Sequence, residues 1–214
     1  MDLDNISKEE LVQLITKIVV ETLKIEPSIP IGVSNRHIHL SRRDMDVLFG
    51  AGSELTHMKQ LKQPGQYAAE ETVILKGPKG EIGKVRVLGP MRADTQIEIS
   101  VTDGFTLGIK PPIRESGSID GTPGIEIIGP KGSVTASVGV IGALRHIHMT
   151  PEDAKRFGVK DKDWVSAELG SNIRRGIIRN VLVRVSDKYA LEMHVDVDEA
   201  NALGVKNGDL AVII

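Results

Sequence analysis

The chain has 214 residues, a formal net charge of −2 at pH 7 and 26% charged residues, the profile of an ordinary globular protein without the basic excess that nucleic acid demands. It contains no cysteine, which excludes disulfides, zinc ribbons and a thiol nucleophile, so any metal must be held by histidine and carboxylate. No apolar run approaches the roughly 20 residues of a membrane span, and the acidic start Met1-Asp2-Leu3-Asp4 is unlike a signal peptide; a cytoplasmic protein without membrane contact is expected.

In chain order, residues 6–24 read as an amphipathic helix. Ser7 is a candidate N-cap, Glu9 and Glu10 fall in the first turn, and Leu11, Leu14, Ile15, Ile18, Val19 and Leu23 recur at helical spacing. The segment from Ile25 to Pro30, with prolines at 27 and 30, then reads as an extended linker. Residues 1–30 are thus expected to form a helix on a tether, either docking on a partner or packing on its own fold or at a dimer contact.

From Ile31 the signal is mainly β. Ser41 should cap a short helix reaching Phe49, and the strands around Val73–Lys76 and Lys84–Leu88 flank Gly77-Pro78-Lys79-Gly80 as a hairpin. Gly129-Pro130-Lys131-Gly132 repeats that turn between strands at Ile125–Ile128 and Val134–Val138. Thr150 should cap a helix with Pro151 at its first position, followed by strands at Trp164–Leu169, Gly176–Val185 and Ala190–Val195, a helix at Val197–Leu203 and a last strand from Leu210. Short strands at close spacing, and the absence of a glycine-rich phosphate loop opening a long helix, favour barrels over an open α/β sheet.

One motif occurs twice. Arg36-His37-Ile38-His39 returns as Arg145-His146-Ile147-His148. A repeat of about 110 residues suits a duplicated domain, so two similar β-barrel domains capped by short helices are expected, at residues 31–140 and 141–214, with exchange of strands between them left open. Residues i and i+2 of a strand share a face, so each His-Ile-His offers two imidazoles to one side and an isoleucine to the other. Zinc nitrogens at about 2.0 Å from the metal lie roughly 3.3 Å apart, within reach of such a pair. A single His-x-His is more often an ordinary pair of polar strand residues; the duplication is what points to metal. Allowing a one-residue gap, Glu98 and His194 occupy equivalent places on later strands, giving the sets His37, His39, Glu98 and His146, His148, His194. Three ligands with an open position suit a catalytic zinc. Glu98 also reads as an exposed strand carboxylate, and His194 as a polar strand residue.

The stretches Ser34–Ser41, Gly89-Pro90-Met91-Arg92, Ala143–Met149 and His194-Val195-Asp196 resemble the PduL-type phosphate propanoyltransferase family of phosphotransacylases, and the likeness runs from Ile31 to Ile214. The resemblance implies two zinc ions per chain between two β-barrels, with coenzyme A bound as substrate in the cleft. It implies reversible conversion of a short-chain acyl-CoA, propanoyl or acetyl, and phosphate into acyl phosphate and CoA; the lack of cysteine favours direct transfer, with an acyl-enzyme on serine or another nucleophile the open alternative. His37, His39 and Glu98 would hold the zinc whose open position takes the coenzyme A sulfur, and His146, His148 and His194 the other, completed by waters. Arg92 would bind phosphate as the catalytic residue, with Ser34, Gln63, Gln66, Ser116 and Arg184 in the active-site wall. A homodimer is expected; because encapsulated relatives resemble this arrangement, two readings stay open, a general cytoplasmic enzyme and one in the lumen of a bacterial microcompartment with a shell or cargo partner met through the N-terminal helix. The alternatives are a metal-dependent ester or phosphoester hydrolase, its metals activating water, and a non-catalytic metal or scaffold protein.

Overall fold

The structure, a computed structural model, describes residues 7–23, 27–170 and 172–214. Helix α1 runs Lys8–Leu23, and its first turn is closed by a reciprocal cap in which Glu10 N–H donates to Ser7 Oγ at 3.2 Å and Ser7 N–H to Glu10 Oε2 at 2.9 Å. Leu11, Val12 and Ile15 are exposed, so this part of the apolar stripe faces outward. The start of the chain, both ends of the expected helix at residues 6 and 24, linker residues Ile25 and Glu26, and the side chains of Ile18, Val19 and Leu23 lie outside the described set.

The rest is mainly β. Its strands are β1 (Ser28–Ser34), β2 (His37–His39), β3 (His57–Gln60), β4 (Tyr67–Lys76), β5 (Glu81–Gly89), β6 (Gln96–Glu98), β7 (Ile113–Arg114) and β8 (Ile125–Ile128). They continue with β9 (Ser133–Ala136), β10 (Val140–Ala143), β11 (His146–Met149), β12 (Trp164–Leu169), β13 (Gly176–Val185), β14 (Glu192–Asp196) and β15 (Leu210–Ile213). Short helices α2 (Arg42–Phe49), α3 (Val101–Leu107), α4 (Pro151–Phe157) and α5 (Val197–Leu203) follow strands β2, β6, β11 and β14 respectively.

The expected linker is in part a strand. β1 begins at Ser28, with Pro30 inside it. Successive N–H groups of a strand point to opposite sides. Ile31 donates to Asp209 next to β15, so residue 30 would donate toward β14, whose pairing with β1 starts only at Ile31. The proline therefore removes no ladder bond.

The expected pair of like barrels is realised unequally. Six strands close into a barrel in the order β1-β14-β11-β13-β12-β15, whereas the first half forms a nine-stranded sheet, β7-β10-β6-β2-β5-β4-β8-β9 with β3 added on β4, that curls without closing. The hairpin β8–β9 extends one edge and the two-residue β7 the other, and these edges do not meet. The strand entering each His-Ile-His lies in the opposite sheet: β1 belongs to the barrel and leads into β2, while β10 belongs to the nine-stranded sheet and leads into β11. The chain thus crosses between the sheets twice, at residues 35–36 and 144–145, and each crossing enters a histidine motif.

Each sheet covers its own apolar cluster, one built on Ile38, Val85, Val87 and Ile97 and the other on Ile147, Val181, Val183 and Met193. Ile38 and Ile147 are fully buried, so the hydrophobic effect holds the isoleucine face of each motif inward and leaves the imidazoles on the other face. The strand–helix corners are capped in one way: Ser41, Ser100 and Thr150 hydroxyls and the Asp196 carboxylate each accept the N3 backbone N–H of the helix that follows. Both Gly-Pro-Lys-Gly turns also have a tertiary role. Lys79 N–H donates to Leu107 O at the end of α3, and Lys131 N–H to Leu48 O in the last turn of α2. A Cβ on Gly77 would lie 2.2 Å from Leu107 O and one on Gly129 2.5 Å from Leu48 O, so both positions require glycine.

Candidate active site

The two motifs present equivalent triads. In the nine-stranded sheet His37 pairs with Glu98 and His39 with Gln96 across β2 and β6. In the barrel His146 pairs with His194 and His148 with Glu192 across β11 and β14. Glu98 and His194 therefore stand at the same register, with no gap. Within each triad, one nitrogen or carboxylate oxygen per residue lies within 4.8 Å of the others. His37 Nε2 is 3.4 Å from Glu98 Oε2, the separation of two donors on one metal. The Nδ1 atoms of His37 and His146 each lie 2.8 Å from a backbone carbonyl, of Asn35 and Leu144, two residues earlier. Each ring thus donates Nδ1–H and leaves Nε2 free as a lone-pair donor.

The burial of these groups fits metal ligation. His39 Nδ1 and both nitrogens of His148 are buried without a hydrogen-bond partner. An unpaired buried polar atom costs about 1–3 kcal/mol, and three of them fall within these two clusters, where a cation would satisfy them. Burial, with neighbouring imidazoles and arginine, pushes His39 down to about 3 and His148 down to about 2, and burial with His194 takes His146 to about 4. These rings are neutral at pH 7, the form that binds metal. Glu98 is held below its ordinary value: burial works against this, and His37, His39 and the Ser116 hydroxyl outweigh it.

Both triads open onto one cleft of about 800 Å³, which also receives Ser34, Gln63, Gln66, Arg92, Ser116 and Arg184. The structure therefore brings every candidate site residue to one place. Arg92 sits in the turn after β5, its N–H bonded to Leu40 O at 2.9 Å and its Nη1 donating to Ser116 Oγ at 3.1 Å. Its pKa is lowered, first by burial and also by the like charge of Arg184. Arg184, on β13 beside His148, donates to Tyr189 Oη at 3.2 Å and lies 3.3 Å from Glu115 Oε1. Adjacent residues of one loop, Glu115 and Ser116, thus grip the two guanidinium groups, one from each half. Ser34 Oγ is 3.5 Å from His194 Nδ1. Gln63 lines the cleft, but its amide is committed to the Ala190 backbone at 2.9 and 3.2 Å and to Glu192 at 3.3 Å, so it is a strap onto β14. Gln66 belongs to the same loop.

Several participants escaped the sequence reading. Glu192 lies 3.1 Å from His194 Nε2, and its place two residues before His194 on the same strand face was the available signal. Gln96 donates to Glu98 Oε1 at 2.6 Å and to Ser116 at 2.8 Å, joining the first triad to the arginine loop. Tyr189 stacks on His148 with ring centroids 4.2 Å apart, from a loop that carries no motif.

Comparison with known proteins agrees with this geometry. Residues 30–206 match the model of the phosphate propanoyltransferase family. A phosphate propanoyltransferase of Rhodobacter capsulatus is 60% identical over 200 residues, covering 94% of this chain and 93% of that protein. One from Thermotoga maritima is 58% identical over 196 residues, covering 92% and 93%, and one from Salmonella typhimurium is 50% identical over 199 residues, covering 93% and 94%. With two such triads on one cleft and likeness over nearly the whole length, the chain belongs to the phosphate propanoyltransferase family, a family of acyltransferases.

Proposed function

We propose that this protein is a phosphotransacylase that moves a short acyl group, propanoyl or acetyl, between coenzyme A and inorganic phosphate. The observation that carries this reading is the convergence of two metal-competent triads and two guanidinium groups in one cleft. His37, His39 and Glu98 would hold one zinc, and His146, His148 and His194 the other. When bound, such a metal supplies a cation that favours thiolate over thiol at neutral pH and polarises a thioester carbonyl.

The chain's own groups then have defined tasks. Arg92 offers phosphate a planar fork of donors, preset by its bond to Ser116. Arg184, restrained by Glu115 and Tyr189, brings a second positive charge to the same anion. In the forward step a phosphate oxygen bonds to the thioester carbonyl carbon, the C–S bond breaks, and its electron pair leaves on the coenzyme A sulfur. Negative charge builds on the carbonyl oxygen and is met by fixed positive groups in a partly buried cleft, where they are strongest. The absence of cysteine supports direct transfer, and Ser116 Oγ already accepts bonds from both Arg92 and Gln96. The exposed Leu11, Val12 and Ile15 of α1 support a docking role for that helix, toward a second copy or a microcompartment partner.

Incubation with propanoyl-CoA and phosphate tests the reading, with hydroxylamine trapping of the product. One acyl hydroxamate per CoA released is expected. Release of free carboxylic acid without need of phosphate would instead mark a hydrolase.

A further inference from the structure

The arginine that opens each repeated motif is not a member of either triad, yet its partner is equivalent in both halves. Arg36 donates through Nε to Asp103 Oδ2 at 2.9 Å and through Nη2 to Asp103 Oδ1 at 2.6 Å. Asp103 is buried and is the N3 residue of the capping box of α3, its Oδ2 also accepting the Ser100 N–H at 3.3 Å. Ser100 stands two residues after Glu98. In the other half Arg145 Nε lies 2.7 Å from Glu199 Oε1. Glu199 is the N3 residue of the capping box of α5, and its Oε2 accepts the Asp196 N–H at 3.1 Å, two residues after His194.

On its other side each arginine adjoins the residue whose carbonyl accepts Nδ1–H from the first imidazole, Asn35 for His37 and Leu144 for His146. One side chain therefore joins the carbonyl that fixes the first donor to the cap that ends the strand of the third donor. The ladders between these strands are short: β2 and β6 have three residues each, β11 four and β14 five. Ladders of this length leave the relative setting of the two strands soft, and a charge-assisted tie at the end of each stiffens it.

We propose that Arg36 and Arg145 are positioning residues, each locking the strand of the third donor against its His-Ile-His so that the donor atoms stay at metal-binding separation. The inference rests on the metal reading above and adds that these residues act on metal affinity without touching metal. Arg36 holds the shorter pair of strands by two bonds, so the first site depends on its arginine more than the second does.

The test is Co²⁺ binding to the full-length, metal-stripped protein, read by visible absorption and chelator competition, beside thermal unfolding of the metal-free chain. Wild type should take two equivalents. Arg36→Ala should weaken one equivalent by about tenfold to a hundredfold, the range for losing a partner behind a ligand, and alter its spectrum. In a His146→Ala background, which keeps the first site, the same loss should appear on the one remaining equivalent. Arg145→Ala should weaken the other equivalent by a smaller factor. Arg36→Lys should recover part of the affinity, and Asp103→Asn should reproduce the loss, so the result does not hang on one variant. Two equivalents at wild-type affinity in both alanine variants would overturn the inference. So would equal weakening of both sites together with loss of metal-free stability, which describes general unfolding. A wild-type chain that takes no Co²⁺ would overturn the metal reading, and this inference with it.

Discussion

Replacing Arg92 by alanine probes the phosphate assignment most sharply, because the structure isolates what is lost. The guanidinium is partly buried, and among the described residues its side-chain hydrogen bond is to a neutral hydroxyl, Ser116 Oγ at 3.1 Å; Glu98 acts on its charge through space without a hydrogen bond, so the donor fork is left for phosphate. Its backbone N–H stays bonded to Leu40 O, and the alanine variant keeps the turn. Two charge-assisted contacts at about 1.5–3 kcal/mol each set the scale of the loss at roughly 3 kcal/mol or more. That is about a hundredfold or more in kcat/KM for phosphate. The assay is CoA release from propanoyl-CoA across a phosphate series, on protein whose metal content matches wild type. Arg92→Lys should recover only part of the loss, since an ammonium keeps the charge but not the fork. If Arg92→Ala with full metal turns over near the wild-type rate at low phosphate, Arg92 does not hold phosphate and Arg184 takes its place.

Other expectations follow from named contacts. His37→Ala and His146→Ala should each lose about one metal equivalent by elemental analysis, since two protein ligands retain a catalytic metal poorly. Ile147→Ala removes a fully buried side chain from the face opposite the imidazoles, and should cost about 2–5 kcal/mol in denaturant unfolding of the metal-free protein. Gly129→Ala places a Cβ 2.5 Å from Leu48 O and should destabilise by about 1–3 kcal/mol in the same assay, with metal stoichiometry unchanged. Deleting residues 1–26 stops short of β1 at Ser28, so turnover should stay within a few-fold while oligomer size by light scattering changes; collapse of turnover in a folded truncation would give α1 a place in the site.

The strands of the second half were legible nearly to the residue, because β12 and β13 are apolar runs bounded by turn signals and Thr150-Pro151 announces α4. The triads were legible too, since a doubled His-x-His with Glu98 and His194 on later alternating strands is a period-2 pattern. Pairing between strands far apart in sequence leaves no such trace. Nothing local in Ser28–Ser34 says that it closes the barrel of the second half, or in Val140–Ala143 that it joins the sheet of the first. Strands of two to four residues such as β3, β7 and β10 are too short to show alternation. Helix α3 is poor by propensity, with Val101, Thr102, Gly104 and Thr106 in seven residues, and is held by the Ser100–Asp103 cap and the Arg36 fork. The tie of Gln63 to the Ala190 backbone and the grip of Glu115 on Arg184 are tertiary pairings across 127 and 69 residues of chain, beyond any local pattern.

The central claim is that two metal ions, one on each triad, enable phosphate-dependent acyl transfer. Titrating metal-stripped protein with Zn²⁺ while following CoA release from propanoyl-CoA, with and without phosphate, tests it most directly. The account predicts no turnover without metal, phosphate-dependent turnover that rises to a plateau at two equivalents of Zn²⁺ per chain, and none without phosphate at any loading. Turnover in metal-free protein, or release at full loading that ignores phosphate, would contradict it.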